Sequence, residues 1–448
     1  MDYKYRKFAV EILYEVNNNK GYSNILLEEY MKKMPNIRDR NLLNITVNGV
    51  IENKIFLDWI IKNLSTTKFS KISKRILEIL RIGIYQIEFL DNISPKTVVY
   101  ESVEEAKAER KKYLTRFVNG ILRNYLRNRE KINVKLEKLE NDEYLSIKYS
   151  FPMSFIKKLK KEFPYKDIIL ILKSLNRKPK FTIRVNSTLI TRNELIKILE
   201  EKKIKIEETK FSSLGINVLN SDFINIKDLY DQGLFSIQGE SSMIAVELLD
   251  PKPGSKILDM CSAPGGKGLY SAELMNNTGE VDCREIYINK INTINNQIKR
   301  LRLDNVDTKV EDATIFNEEN LGKYDYCIVD VPCSNSGIIM KKPEIKYKTN
   351  FENLDNLKEK QLQILINAGK YLKPGGEMVY STCSIFSEEN IEIVNEFLKI
   401  KNEFSLIDLD SKYSIIDKNY KKGYLNIYPH VSGLDGFFIA KIKKTKIW

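Results

Sequence analysis

The chain has 448 residues, 42% hydrophobic and 30% charged, a length for about three domains at roughly 150 residues each and a composition unlike a disordered tail or a fibrous repeat. Lysine and arginine number 73 against 60 aspartates and glutamates, and the surplus is N-terminal: residues 1–200 hold 40 basic and 24 acidic side chains, residues 201–448 hold 33 and 36. No apolar run approaches the ~20 residues that span a bilayer, and five cysteines without a C-x-x-C pair, beside the single His430, lack the usual zinc ligands. A cytoplasmic protein with reduced thiols is expected, with neither a membrane nor a metal as partner.

From Tyr3 to about Arg129, apolar residues recur at helical spacing, as in Ile72, Ile76, Leu77, Ile79, Leu80, Ile84 and Ile87. Turn formers interrupt the pattern at Asn17 to Gly21, Pro35, Ser65 to Ser70 and Asp91 to Pro95, which predicts about seven helices and no strand. The order of RKFAVEILYEV, RDRNLLNITVNGV, RILEILRIGIYQIEFL and RFVNGILRNYLRN resembles the NusB-like helical domain. That resemblance implies an all-α, RNA-binding bundle over residues 1–130.

Residues 131–249 mix short helices with β-like runs at Phe181 to Asn186 and Ile216 to Asn220, predicting a small connecting α+β domain. The densest basic stretch, Lys157 to Arg184, holds ten basic residues against Glu162 and Asp167 with Phe163, Tyr165 and Phe181 interleaved. Such a cluster suits phosphate neutralisation, though lysines on solvated helix faces give the same composition.

After Pro251 strands and helices alternate: KILDM, a Gly-rich turn, VDCRE, a helix through Arg302, VDTKV, YDYCIVD, a long helix to Tyr371, and GEMVYSTCS. This predicts a parallel, doubly wound, Rossmann-like α/β domain over residues 250–448. A strand ending at Asp259 runs into CSAPGGK, where Pro264, Gly265, Gly266 and Lys267 open a helix whose free N–H groups would attract an anion. The turn is neither the dinucleotide fingerprint nor the phosphate loop. Glu285 ends the next strand 19 residues after Gly266, near the spacing at which such folds bind a ribose diol, with Asp282 the competing candidate. Asp312 follows the third strand where a base-contacting loop belongs, or caps a helix there. Asp330, Pro332 and Cys333 stand at the end of one strand, and Ser381, Thr382, Cys383 and Ser384 at the end of another, both on the sheet's carboxyl edge. Cys327, in mid-strand, is expected to be a small buried hydrophobe.

DMCSAPGGK, DVPCSNSG, KKPEIKY and YSTCS together resemble the RsmB/NOP family of RNA cytosine-5 methyltransferases, over about residues 235–445. The resemblance implies S-adenosylmethionine as cofactor, leaving as S-adenosylhomocysteine, and RNA as substrate, with the NusB-like start pointing to small-subunit ribosomal RNA; a monomer is expected. It implies a cofactor site at Cys261, Ser262, Ala263, Pro264, Gly265, Gly266, Lys267, Glu285, Asp312 and Asp330. It also implies Cys383 as the nucleophile, with Cys333 the alternative and otherwise the residue that assists product release. Both thiols are expected to need lowered pKa values. Asp330 is expected to hydrogen-bond the cytosine, and Lys267 to approach the same site. Ser262, Gly268, Glu285 and the run Gln238, Gly239, Glu240 depart from the family's commoner residues. The rival readings are the same chemistry on tRNA or another rRNA cytosine, and a non-catalytic RNA-binding or antitermination factor.

Overall fold

The computed structural model describes residues 4–19, 21–219 and 223–445. Tyr3, at the head of the expected helical segment, and Asn220, at the end of the second β-like run, lie outside the described residues. Two compact units form, Met1–Asn176 with Lys342–Glu352, and Arg177–Lys341 with Asn353–Trp448.

The first unit opens with α1 (Lys4–Asn18), α2 (Ser23–Lys32), α3 (Ile37–Glu52), α4 (Lys54–Leu64), α5 (Lys74–Phe89), α6 (Pro95–Lys107) and α7 (Lys112–Glu137). The expected breaks coincide with helix ends, and the ends carry caps: the Asn36, Ser73 and Ser94 side chains accept from Arg38 N, Ile76 N and Thr97 N. α5 is buried around nearly its whole circumference, so its polar residues need internal partners. Arg81 meets Glu78 and Asp58, each at 2.7 Å. Ala9, Leu13, Val47, Leu57, Leu80, Val98 and Leu122 form the bundle's core. Within the same unit, Lys346 is buried and donates to the Glu52 backbone carbonyl at 2.9 Å and to Asn176 Oδ1 at 2.8 Å. Burial pushes its ammonium down to about 7, with the Glu52 carboxylate opposing that shift.

The second unit carries two sheets. The smaller has the order β2-β3-β1-β4, from β1 (Phe181–Val185), β2 (Ile206–Glu208), β3 (Gly215–Val218) and β4 (Phe235–Ile237), all antiparallel. A helix at Arg192–Glu201, started by a Thr191/Glu194 capping box, packs on it through Leu195 and Leu199. The larger sheet contains β5 (Lys256–Asp259), β6 (Glu280–Glu285), β7 (Val306–Val310), β8 (Tyr324–Asp330), β9 (Leu372–Thr382), β10 (Phe404–Leu406), β11 (Tyr424–Ile427) and β12 (Phe437–Lys444). Its order is β10-β12-β9-β8-β5-β6-β7, with β11 also on β12.

The five strands read from the sequence, β5 to β9, are parallel in this order. The sheet as a whole is mixed, however, because β12 runs antiparallel to β9, β10 and β11. The polar VDCRE strand is explained by alternation: Val281, Cys283 and Glu285 are buried while the residues between them are partly exposed.

The basic stretch is divided along the chain between the units, its residues to Lys173 falling in the first and those from Arg177 in the second. Lys160 pairs with Asp142 at 2.7 Å, and Arg184 is a correction to the phosphate reading, since it is 1% exposed and held by Glu273 at 2.6 Å. β1 is buried on both faces from Thr182 to Val185, and Arg184 lies on the face opposite Ile183 and Val185, which pack in the small sheet's core.

Candidate active site

Parallel pairing decides where the chemistry-bearing residues emerge. Asp330 on β8 is in register with Ser381 on β9, so both strands end together and deliver Cys333 and Cys383 to one place. The Cys333 and Cys383 sulfurs lie 3.1 Å apart. Asn335, in the left-handed region at φ 58°, accepts from the Cys383 thiol at 3.0 Å and donates to the Cys333 carbonyl at 2.9 Å. Cys333 is buried and Cys383 partly buried. The hydrogen bond with Cys383, followed by burial, pushes the Cys333 thiol up, and the Glu389 carboxylate adds to this. That corrects the expectation of a lowered Cys333 pKa, because the site surrounds this sulfur with another thiol and a carboxylate instead of a cation. Cys261, Cys283 and Cys327 are likewise held up by burial, and Cys327 is the buried hydrophobe expected.

Asp330 links the thiols' strand to the glycine turn. One carboxylate oxygen accepts from Ser381 Oγ at 2.6 Å, and the other pairs with Lys267 Nζ at 2.6 Å. Lys267 is mostly buried, with its ammonium 5.1 Å from the centre of the Phe437 ring, so it is not a surface charge. The turn runs from Asp259 through residues 260–265 into a helix at Gly266–Leu274. Gly265 takes φ 102°, a conformation that favours glycine. A Cβ on Gly268 would lie 2.7 Å from Cys283 Sγ and 2.9 Å from Asp259 Oδ2, so glycine replaces a larger residue here because Cys283 fills the space.

Glu285 closes β6, and its Oε1 accepts from Ile286 N at 3.1 Å and Lys290 Nζ at 3.3 Å. Asp282 is held elsewhere, by Arg284 at 3.1 Å and the Tyr324 hydroxyl at 2.5 Å. Asp312 accepts from Thr314 N at 2.9 Å and Thr314 Oγ1 at 2.7 Å, a local cap beyond β7.

Three features were not read from the sequence. Asp259 is 1% exposed with neither oxygen in a well-formed hydrogen bond, and burial, with the Asp330 charge, pushes its carboxyl up to about 7. Arg184 donates to the Gly266 carbonyl at 2.9 Å, to Gln238 and to both Glu273 oxygens, and lies over the Tyr270 ring. Glu389, fully buried, binds the residues that follow both cysteines. Arg184 carried no sequence signal of burial, since alternation places it opposite the core residues Ile183 and Val185; Glu389 carried none beyond its place after YSTCS.

A Rossmann-like sheet whose carboxyl edge joins a glycine turn, a carboxylate and two thiols defines the class: a nucleic-acid methyltransferase domain. The comparisons sharpen this. Residues 246–443 match the 16S rRNA methyltransferase RsmB/F model, residues 3–127 the NusB family, and residues 151–223 the ferredoxin-like domain of RsmF/B-like methyltransferases. The chain is 32% identical to the probable ribosomal RNA small subunit methyltransferase B of Bacillus subtilis (strain 168) over 98% of each chain. It is 31% identical to ribosomal RNA small subunit methyltransferase B of Photorhabdus laumondii over 91% of each. The crystal structure of PH0851 superposes with a TM-score of 0.83, covering 99% of both chains at 24% identity, which speaks for the shared fold. A methyltransferase homolog from Pyrococcus horikoshii covers 67% of this chain and 97% of its own with a TM-score of 0.58 at 26% identity. The chain belongs to the RsmB/F family of S-adenosylmethionine-dependent rRNA methyltransferases.

Proposed function

We propose that the chain methylates carbon 5 of one cytosine in small-subunit ribosomal RNA through a covalent adduct between Cys383 and carbon 6 of the ring. The position implied by the family resemblance is cytosine 967. The observation that carries this reading is the pair of sulfurs 3.1 Å apart beside the Lys267–Asp330 ion pair. Carbon 5 of cytosine is a poor nucleophile until a thiolate has added at carbon 6 and turned the ring into an enamine. Cys383 is the better placed thiol, being partly exposed, whereas Cys333 is buried and its thiol is pushed up from the ordinary value. Asp330 would hydrogen-bond the ring and favour its protonated, electrophilic form, with Lys267 orienting the carboxylate. Cys333 would assist expulsion of Cys383 after carbon 5 has lost its proton. The target base must leave its stack to reach both strand ends, at a cost of a few kcal/mol.

The turn fits S-adenosylmethionine. A Cβ added at Gly266 would meet only the Gln238 side chain, at 3.6 Å, and helix N–H groups begin there. Residues 261–267 would line the cofactor, Glu285 would take the ribose diol, since Asp282 is occupied by Arg284 and Tyr324, and Asp312 would reach the base. When bound, the cofactor supplies an electrophilic methyl group and leaves as S-adenosylhomocysteine. One chain carries every group named, so a cytoplasmic monomer suffices, with the helical segment 1–130 as an RNA-holding domain. Incubation with labelled S-adenosylmethionine and unmodified small-subunit rRNA should place the label in 5-methylcytosine at one site. Label on another base, or on protein alone, refutes the reading.

A further inference from the structure

Glu389 stands just after the second thiol loop, yet it is 0% exposed and binds both loops. Its Oε1 accepts from Ser334 N at 2.7 Å and from Gln361 Nε2 at 3.2 Å. Its Oε2 accepts from the Ser334 and Ser384 hydroxyls at 2.6 and 2.5 Å. Ser334 follows Cys333 and Ser384 follows Cys383, so one carboxylate is shared by the residues next to each sulfur. Its own backbone is fixed as well, since the Tyr380 hydroxyl donates to the Glu389 carbonyl at 2.6 Å. The network extends through Gln361, which also donates to the Pro332 carbonyl at 3.0 Å, and through Ser336, whose hydroxyl lies 3.0 Å from that of Ser384. A buried carboxylate is tolerated only where donors satisfy it. Here four donors do so, three of them on the thiol loops.

We infer that Glu389 is a positioning residue that holds Cys333 and Cys383 at working separation by clamping the two loops through Ser334 and Ser384. This rests on the reading of the two cysteines as a working pair. The clamp predicts an order among substitutions. Glu389→Gln keeps the shape: its carbonyl can accept from Ser334 N and Gln361, and its amide can donate to two serine hydroxyls that rotate to accept. Glu389→Ala removes the acceptor shared by all four donors and strips the Ser334 N–H of its partner in the interior, while Gln361 keeps the Pro332 carbonyl and Ser384 keeps Ser336.

The direct test measures how close the sulfurs stay, with no RNA or methyl donor present. In full-length protein, diamide takes two electrons and two protons from the Cys333 and Cys383 thiols and closes a disulfide, whose rate is followed by mass spectrometry of the peptides. Glu389→Ala should close it at least tenfold more slowly than the unsubstituted chain, and Glu389→Gln within threefold of it. Protection of Cys283 and Cys327 from alkylation reports whether the fold is intact. Should the alanine variant lose that protection, Ser384→Ala decides, since it removes the link from Glu389 to the Cys383 loop while Ser334 and Gln361 stay bound to the carboxylate, and it should still slow closure several-fold. In turnover, Glu389→Ala should lower kcat while leaving KM for S-adenosylmethionine unchanged, and Glu389→Gln should restore most of kcat. Because neutralising Glu389 removes a charge that disfavours the Cys333 thiolate, Glu389→Gln should also move the Cys333 alkylation profile to lower pH. Closure at the original rate in folded Glu389→Ala, or in Ser384→Ala if the former unfolds, overturns the inference. A failure to find 5-methylcytosine would sink the proposed reaction and leave this measurement standing.

Discussion

Arg184 offers the sharpest test of how the second unit is built. Its guanidinium and the Glu273 carboxylate are 1% and 0% exposed, joined by hydrogen bonds at 2.6 and 3.2 Å, and the same arginine also holds the Gly266 carbonyl. Burial pushes the Glu273 carboxyl up, and Arg184 is the main group opposing that shift. Arg184→Ala therefore strands a buried carboxylate, which costs about 3–5 kcal/mol. The loss should appear in the helix at Gly266–Leu274, which carries Glu273. Hydrogen exchange read by mass spectrometry on peptides spanning that helix should accelerate by roughly two to four decades, at about 1.4 kcal/mol per decade. Replacing both partners, Arg184→Met with Glu273→Leu, should recover most of the protection, since apolar residues of similar volume often replace a buried pair with little loss. The salt dependence of RNA binding should keep its slope in the pair-replaced variant, because a buried arginine neutralises no phosphate. Exchange within threefold of the unsubstituted chain in Arg184→Ala would refute the reasoning.

Three further outcomes follow from buried groups. Asp259 has its folded-state carboxyl raised to about 7 against about 4 when unfolded, so its contribution is fully present below about pH 4 and lost as pH rises to about 7. Asp259→Asn should therefore be more stable than the unsubstituted chain at pH 8 and lose that advantage near pH 4, as read by melting across pH. Gly268→Ala should cost about 1–3 kcal/mol by overpacking, and adding Cys283→Ala, which removes the crowding sulfur, should recover part of it in denaturant titrations. In the first unit, Lys346 has its pKa lowered to about 7, so the unfolded chain binds the extra proton between about pH 7 and 10 and stability rises with pH across that window. Lys346→Met should flatten this rise, measured as a difference from the unsubstituted chain by Trp59 fluorescence in a Trp448→Phe background.

The legible parts were those set by local pattern. The apolar spacing of Ile76, Leu80, Ile84 and Ile87 marked α5, and strand-helix alternation marked β5 to β9 with Asp330, Cys333 and Cys383 at their ends. Orientation in the sheet was not legible, because FFIAKIKK reads as a strand whichever way it runs, and only pairing with β9 makes β12 antiparallel. Charge misled where burial decides. Arg184 closes a basic run and looks like a phosphate contact, yet the second face of β1 is covered too, and Arg184 is buried there against Glu273. Glu389 sits in a polar S-E-E-N run that reads as an exposed helix start, and its clamp exists only because Ser334, 55 positions earlier, is folded against it. The strand ends at VPCSNSG and YSTCS named two candidate thiols, but the raised pKa of Cys333 comes from the sulfur and carboxylate brought beside it by folding.

The central claim, a covalent bond from Cys383 to the target ring, is tested most directly by trapping. Cys333→Ala is incubated with S-adenosylmethionine and unmodified small-subunit rRNA, resolved under denaturing conditions, and the protein-linked nucleotide is mapped by mass spectrometry. The account predicts a stable adduct of a methylated cytosine on the peptide carrying Cys383, absent from Cys333→Ala with Cys383→Ala. An adduct found instead in Cys383→Ala alone, attached at Cys333, would contradict it.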